Sequence, residues 1–179
     1  MKSILFTLCF FSCMLSYAQE IFQNKSTGKE ALFLGAYNED QLLKVYESGQ
    51  VQYLPSDQLE QIDQLKPIDF LELLSQKKLK FYFEGHEPLW NLTLKDKQLS
   101  FYGNETLQAS LNYTQDTQSG FNFMFSSKDL GIYGVVLRRD HTLEKTQACN
   151  LSTTDDYTVF EIYFTLQGKM YKGCGYISP

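Results

Sequence analysis

The chain has 179 residues and a formal net charge of −5, with 43% hydrophobic and 15% aromatic residues. That length fits one domain, or one domain with an extension, and the apolar share excludes global disorder. No basic stripe is present beyond the pairs Lys77-Lys78 and Arg138-Arg139, which argues against nucleic acid as a partner.

Residues 1–18 have the three parts of a secretory signal. Lys2 is the positive start, Ile4 to Leu15 is the apolar stretch, and Ser16-Tyr17-Ala18 places small residues at −3 and −1 before Gln19. The apolar stretch is shorter than the roughly 20 residues of a membrane-spanning helix, and no later segment is longer, so no transmembrane segment is expected. The alternative is a lipoprotein. Phe10-Phe11-Ser12-Cys13 has a lipobox outline, with Cys13 as the lipidated residue, but Phe11 is large there and the residues after Cys13 are apolar. Cleavage after Ala18 is the reading adopted, which makes the protein exported, periplasmic or secreted. Cys9 and Cys13 then leave with the signal, and Cys149 and Cys174 remain as a pair. An even pair in an exported chain reads as a disulfide, worth about 3 kcal/mol for a loop of about 25 residues.

The mature chain divides near Leu79. Residues 19–78 are expected to form a mixed, rather helical extension. Ala31 to Leu34 is a short apolar run with strand character. Gln41 to Glu47 reads either as a helix capped from Asn38-Glu39-Asp40 or as half of a hairpin, with Leu42 to Tyr46 and Val51 to Leu54 flanking Ser48-Gly49. Ser56 or Asp57 is placed to cap a helix through Leu65, with Leu59, Ile62 and Leu65 on one face. Pro67 suits a first helical turn, and Ile68, Leu71 and Leu74 continue an apolar stripe toward Lys77-Lys78.

Residues 79–179 alternate with period two. The expected strands start at Lys80–Glu84 and Trp90–Leu94 and continue through Gln98–Tyr102, Leu107–Tyr113, Phe121–Phe125 and Ile132–Leu137. They end with Thr142–Cys149, Thr158–Leu166 and Lys169–Cys174. Asp96-Lys97, Gly103-Asn104 and Gln167-Gly168 supply turns, the last a tight hairpin. The fold class read from this is mainly β: a small antiparallel barrel or sandwich with a short N-terminal α-containing extension. The disulfide would tie Cys149 to the last strand at Cys174 and keep it in register.

Gly85-His86-Glu87-Pro88-Leu89-Trp90 is the most unusual hexamer. As a binding site, His86 and Glu87 present polar groups at a barrel mouth and Trp90 forms a stacking wall. As plain structure, the hexamer is a turn and Trp90 fills the core. His86 and His141 are the only histidines and lack zinc-site spacing, so no metal and no cofactor is expected. No G-x-S-x-G, phosphate-binding loop or dinucleotide motif occurs, and adjacent Asp155-Asp156 would point to opposite faces of a strand. No catalytic set follows. Asn24, Asn91, Asn104, Asn112 and Asn150 each open an N-x-[ST] sequence, read as a by-product of an Asn- and Thr-rich β surface.

Two stretches resemble a family. Gly85-His86-Glu87-Pro88-Leu89-Trp90-Asn91-Leu92 resembles the G-N-E-P-F-W segment of a poorly characterised family of bacterial exported proteins and lipoproteins. Cys149, Tyr157 to Phe164, Gly168 and Lys172-Gly173-Cys174-Gly175 resemble its C-terminal pattern. The chain departs from the pattern at His86, where Asn is usual, and over Leu151 to Asp156, where a Gly- and Met-containing loop is usual. Domains of this family occur beside META-type and lysozyme-inhibitor-type domains. The resemblance, over about 100 residues from Leu79, implies a cell-envelope β domain with a disulfide and no settled reaction. The function expected is therefore non-catalytic binding of a protein or small ligand in the envelope. The alternatives are an inhibitor of an exogenous hydrolase such as lysozyme, or a small hydrolase using His86 and Glu87.

Overall fold

A computed structural model describes residues 21–37, 42–62, 69–86, 88–115, 122–138, 149–150, 157–158 and 160–179. Residues 1–20, with the expected signal and Cys13, lie outside them, as do Glu87, His141 and Asp155-Asp156. The fold is mainly β, as expected.

The first five strands are β1 (Ile21–Asn24), β2 (Glu30–Tyr37), β3 (Leu42–Glu47), β4 (Gln50–Pro55) and β5 (Leu59–Gln61). They make one antiparallel sheet in the order β4-β3-β2-β1-β5. Of the two readings of Leu42–Glu47, the hairpin is the one formed. Leu43, Val45 and Glu47 are buried while Leu42, Lys44 and Tyr46 are half-buried, a period of two. Ser48 at φ 52° and Gly49 at φ 88° supply the positive dihedrals that a two-residue turn needs to match strand twist.

The helix expected from Ser56 is corrected. Ser56–Gln58 is a single 3-10 turn, and β5 follows at once, with Leu59 paired to Asn24 and Gln61 to Phe22. Pairing with β1 buries Leu59, which a short isolated helix with one apolar stripe would not achieve. Among the described residues, helix beyond that turn is confined to α1 (Phe70–Gln76), capped by Asp69, whose carboxylate accepts from the Glu72 N–H at 3.0 Å. Leu71 and Leu74 are buried, as their spacing implies, and Phe70 joins them. A buried polar knot holds the β1–β2 turn to β3. Glu47, 3% exposed, accepts from Asn24 Nδ2 at 2.7 Å and from Thr27 Oγ1 at 2.9 Å.

The second sheet contains β6 (Lys80–His86), β7 (Leu89–Lys95), β8 (Gln98–Tyr102), β9 (Thr106–Ser110) and β10 (Asn112–Gln115). It continues with β11 (Phe123–Ser127), β12 (Ile132–Arg138), β15 (Phe160–Leu166) and β16 (Lys169–Ser178). Its order is β10-β11-β12-β15-β16-β6-β7-β8-β9, antiparallel throughout. The two edge strands, β9 and β10, are consecutive in the chain and separated only by Leu111, whose N–H donates to the Lys97 carbonyl at 2.8 Å. They are halves of one bent run that pairs with β8 first and β11 afterwards. The edges therefore cannot separate, and the sheet rolls into a nearly closed barrel with an up-and-down strand order.

Inside, aromatic rings fill the barrel. Phe81 lies 5.4 Å from Phe83, 5.7 Å from Phe123, 5.1 Å from Phe160 and 5.8 Å from Phe70 (ring centroids). Through Phe70, α1 plugs one end of the barrel. The plug is fastened by Gln115, which accepts from the Phe70 N–H at 2.8 Å, and by Tyr113, whose hydroxyl donates to Asp69 at 2.5 Å. The first sheet packs on the barrel's outside: the Arg138 guanidinium lies 4.7 Å from the Phe33 ring, and Lys44 Nζ lies 5.4 Å from the Tyr176 ring.

The short strands β13 (Cys149–Asn150) and β14 (Tyr157–Thr158) form a separate pair. Gly173 and Gly175 face the interior, so Cys174 between them faces outward, and its disulfide to Cys149 (Cα–Cα 5.4 Å) staples β13 to the barrel wall. β14 also lies against β2. Replacing both cysteines by serine is expected to lower unfolding free energy by about 3 kcal/mol, read as a lower urea midpoint. An unchanged midpoint would show that the staple adds no stability.

Burial, the hydrogen bond to Asp69 and the nearby carboxylates of Asp69 and Glu72 push the Tyr113 hydroxyl well above its ordinary pKa of 10.0. Its raised folded value means that the unfolded chain loses this proton first. The stabilisation is full below pH 10.0 and is lost as pH climbs toward the folded value. Tyr82 shifts the same way, chiefly by burial. Tyr113→Phe should therefore flatten the fall of thermal stability above pH 10.0 while lowering stability at neutral pH. Parallel alkaline curves for the two proteins would remove this account.

Candidate functional site

Strand parity places the one tryptophan. β6 and β7 pair Gly85 with Trp90 and His86 with Leu89. Phe81, Phe83 and Gly85 face inward, as do Trp90, Leu92 and Leu94, so His86 and Leu89 fall on the outer wall. Trp90 is 2% exposed. Its indole lies across the backbones of Gly85 and Gly173, and a methyl group at either position would overlap it. Phe164 at 5.1 Å and Tyr171 at 6.0 Å meet it edge-on, and Phe101 at 6.2 Å is stacked. Such pairs add about 0.5–1.5 kcal/mol each beyond burial.

Above this aromatic floor is a recess of about 150 Å³ at the barrel end opposite α1. Three turns surround it: Pro88 before β7 with Leu89 at the strand's start, Gly103-Asn104-Glu105 after β8, and Gln167 with Lys169 around the β15–β16 turn. In an up-and-down barrel alternate turns share an end, which brings these three together. Gln167 Nε2 donates to Glu105 Oε1 at 2.8 Å, a link between turns 62 positions apart. The recess thus has an apolar floor of Trp90, Phe101 and Tyr171 and a polar rim of Asn104, Glu105, Gln167 and Lys169. That form suits a single side chain or a small polar-headed group, since it is smaller than the 300–1,000 Å³ typical of small-molecule sites.

Of the expected binding residues, His86 and Trp90 are described, and they lie on opposite faces of the sheet. Trp90 forms the recess floor. His86 is on the outer wall, where its Nε2 lies 3.8 Å from Glu84 Oε1, and it is absent from the recess lining. Glu87 lies outside the described residues. Glu84, two residues before His86 on the same face of β6, is the partner that the hexamer reading missed; strand period two points to it. Phe101, Glu105, Gln167, Lys169 and Tyr171 were also missed as a site. Their turns were legible, but nothing local in them says that they meet.

Among the described residues no group of three or more His, Cys, Asp or Glu side chains could hold a metal ion. Asn24, the first of the N-x-[ST] asparagines, is 2% exposed and bonded to Glu47, so it offers no acceptor for a glycan; Asn104 and Asn112 are exposed.

Trp90 is the only tryptophan in the chain, so its emission reports the recess. Native protein should emit at distinctly shorter wavelength than unfolded protein. Gly173→Ala should cost about 1–3 kcal/mol by overpacking and shift native emission to longer wavelength. Emission and stability both unchanged in that variant would mean that the indole is not seated on the Gly173 backbone. Searches across family models, curated proteins and solved structures return no match to this chain.

Proposed function

We propose that this chain is an exported, non-catalytic binding domain of the bacterial cell envelope, which recognises a protein partner by its surface. The observation that carries the reading is the filled barrel. Phe81, Phe83, Trp90, Phe101, Phe123, Phe125, Phe160 and Phe164 are all buried inside it, so the interior holds packed side chains and the recess over Trp90 is shallow. An eight-strand circumference has room either for its own side chains or for one small ligand. Here the side chains take that room, and recognition moves to the turns and the outer wall.

Export is supported by the signal pattern of residues 1–18 and by the Cys149–Cys174 disulfide, a bond that persists in oxidising compartments. No helix among the described residues is long and apolar enough to cross a membrane. The resemblance in the Gly85–Leu92 and Cys149–Gly175 stretches supports an envelope setting. A hydrolase based on His86 has less support. The described acid beside it, Glu84, shares the outer wall with it, away from the recess where a substrate would be shielded from water. The net charge of −5 favours, as a second reading, inhibition of a basic hydrolase, since opposite charge steers such a pair together.

The full chain, expressed in an exporting bacterium, should yield a product whose intact mass begins at Gln19 and lacks two hydrogens for the disulfide. A mass corresponding to lipid at Cys13 would move it to the lipoproteins, and a full-length product retained in the cytoplasm would overturn the export reading. The purified protein should turn over none of a panel of ester, glycoside and peptide substrates. Turnover that disappears in His86→Ala would make it an enzyme. Unchanged lysozyme rates at micromolar protein would remove the inhibitor reading.

A further inference from the structure

The register of the barrel strands maps its outer wall. One row runs Met124, Val135, Tyr163, Lys172 across β11, β12, β15 and β16, each residue directly opposite the next. The neighbouring row runs Ser126, Tyr133, Thr165, Met170. Strands about 4.8 Å apart make this a patch about 14 Å wide. Met170 is 78% exposed, Met124 64% and Tyr133 62%, three of the six large apolar side chains that stand out into solvent among the described residues. The lower part of the same wall is covered: Cys174 carries the disulfide to β13, and β2 and β14 lie against β16. Among the described residues the side chains of the upper part stand exposed.

Its charge differs from that of the chain. The outer wall of these strands and the β11–β12 turn carry two exposed lysines, Lys128 and Lys172, and one exposed carboxylate, Asp129, while Lys169 belongs to the recess rim. Glu161 sits beneath Lys172, 8% exposed, at 3.5 Å from Lys172 Nζ. The hydrogen bond to Tyr163 and the charge of Glu161 hold Lys172 above its ordinary pKa. A lysine-edged apolar wall on a protein of net charge −5 is thus an exception to its own surface.

We infer that the outer wall of β11, β12, β15 and β16 is a docking face for a protein partner whose contact surface combines apolar side chains with carboxylates. The inference rests on the binding-domain reading above. Tyr and Met are enriched where proteins meet, and the unbranched thioethers of Met124 and Met170 adapt to a partner's relief. The lysines select for acid by attracting it and by repelling basic competitors. Lys172 stands in the row itself and Lys128 at its upper edge, so the carboxylates would flank the apolar centre.

The test uses the exported protein, isotope-labelled for NMR, with two synthetic peptides of alternating sequence: one of Glu with Leu and Phe, the other identical with Lys for Glu. The acidic peptide should shift the amides of Met124, Tyr133, Val135, Tyr163 and Met170 saturably, and the basic peptide should bind at least about tenfold more weakly. Lys128→Glu with Lys172→Glu should cost about tenfold for the acidic peptide, and Tyr133→Ser with Met170→Ser a similar factor, while Trp90 emission stays native. Equal binding of the two peptides, or no shift with either at millimolar concentration, overturns the inference. Shifts confined to Glu105, Gln167 and Trp90 overturn it too, but leave the binding-domain reading standing with the recess as its site. Concentration-dependent shifts at the wall without peptide assign the face to a second copy. Co-sedimentation with phosphatidylglycerol vesicles that is lost in the lysine variants assigns it to a lipid surface. Either of these also overturns it.

Discussion

A nearly closed ring of strands encloses a space whose width is set by strand number and tilt, and the facing side chains must fill it without clashing. Here one close fit is between an indole and two bare backbones. Trp90 occupies volume that Cβ atoms at Gly85 and Gly173 would take, and Gly175 does the same for Phe83. The glycines are therefore the inner wall of the site, and the aromatic floor exists because they withdraw. Phe164 and Tyr171, stacked at 4.9 Å, complete that floor from β15 and β16.

Strand β16 does two jobs with alternate residues. Its inward positions, Tyr171, Gly173, Gly175 and Ile177, shape the core. Its outward positions, Met170, Lys172, Cys174 and Tyr176, meet solvent, the disulfide and the first sheet in turn. Packing on one face and recognition on the other can then vary separately, because neighbouring side chains on a strand never share a face. The same division explains why the interior is a poor place for a ligand here. A core of aromatic rings at close-packed density leaves no room, and α1 shuts the far end.

The strand pattern was largely legible. Trp90, Leu92 and Leu94 alternate cleanly, and Asp96-Lys97 and Gln167-Gly168 sit where the turns occur, so β6 to β8 and β15 to β16 follow from period and turn chemistry alone. The extension was less legible. Leu59 and Ile62 are three apart, which fits a helical stripe as well as it fits a short strand beside β1, and only the presence of β1 decides between them. The candidate site was half legible. Trp90 was identified, but His86 and Trp90 were grouped by nearness in sequence, although their separation of four on a bend puts them on opposite faces of the sheet.

Residue order by itself determined the class of the fold, the disulfide partners and most of the turns, because alternation, turn residues and cysteine number are local or countable. Only the tertiary structure decided which turns meet around Trp90, that Glu105 reaches Gln167, and that Met124, Tyr133 and Met170 share one wall. Those are relations between strands far apart in the chain. They are set by register and by closure of the ring, where a shift of one residue would send every side chain of a strand to the other face.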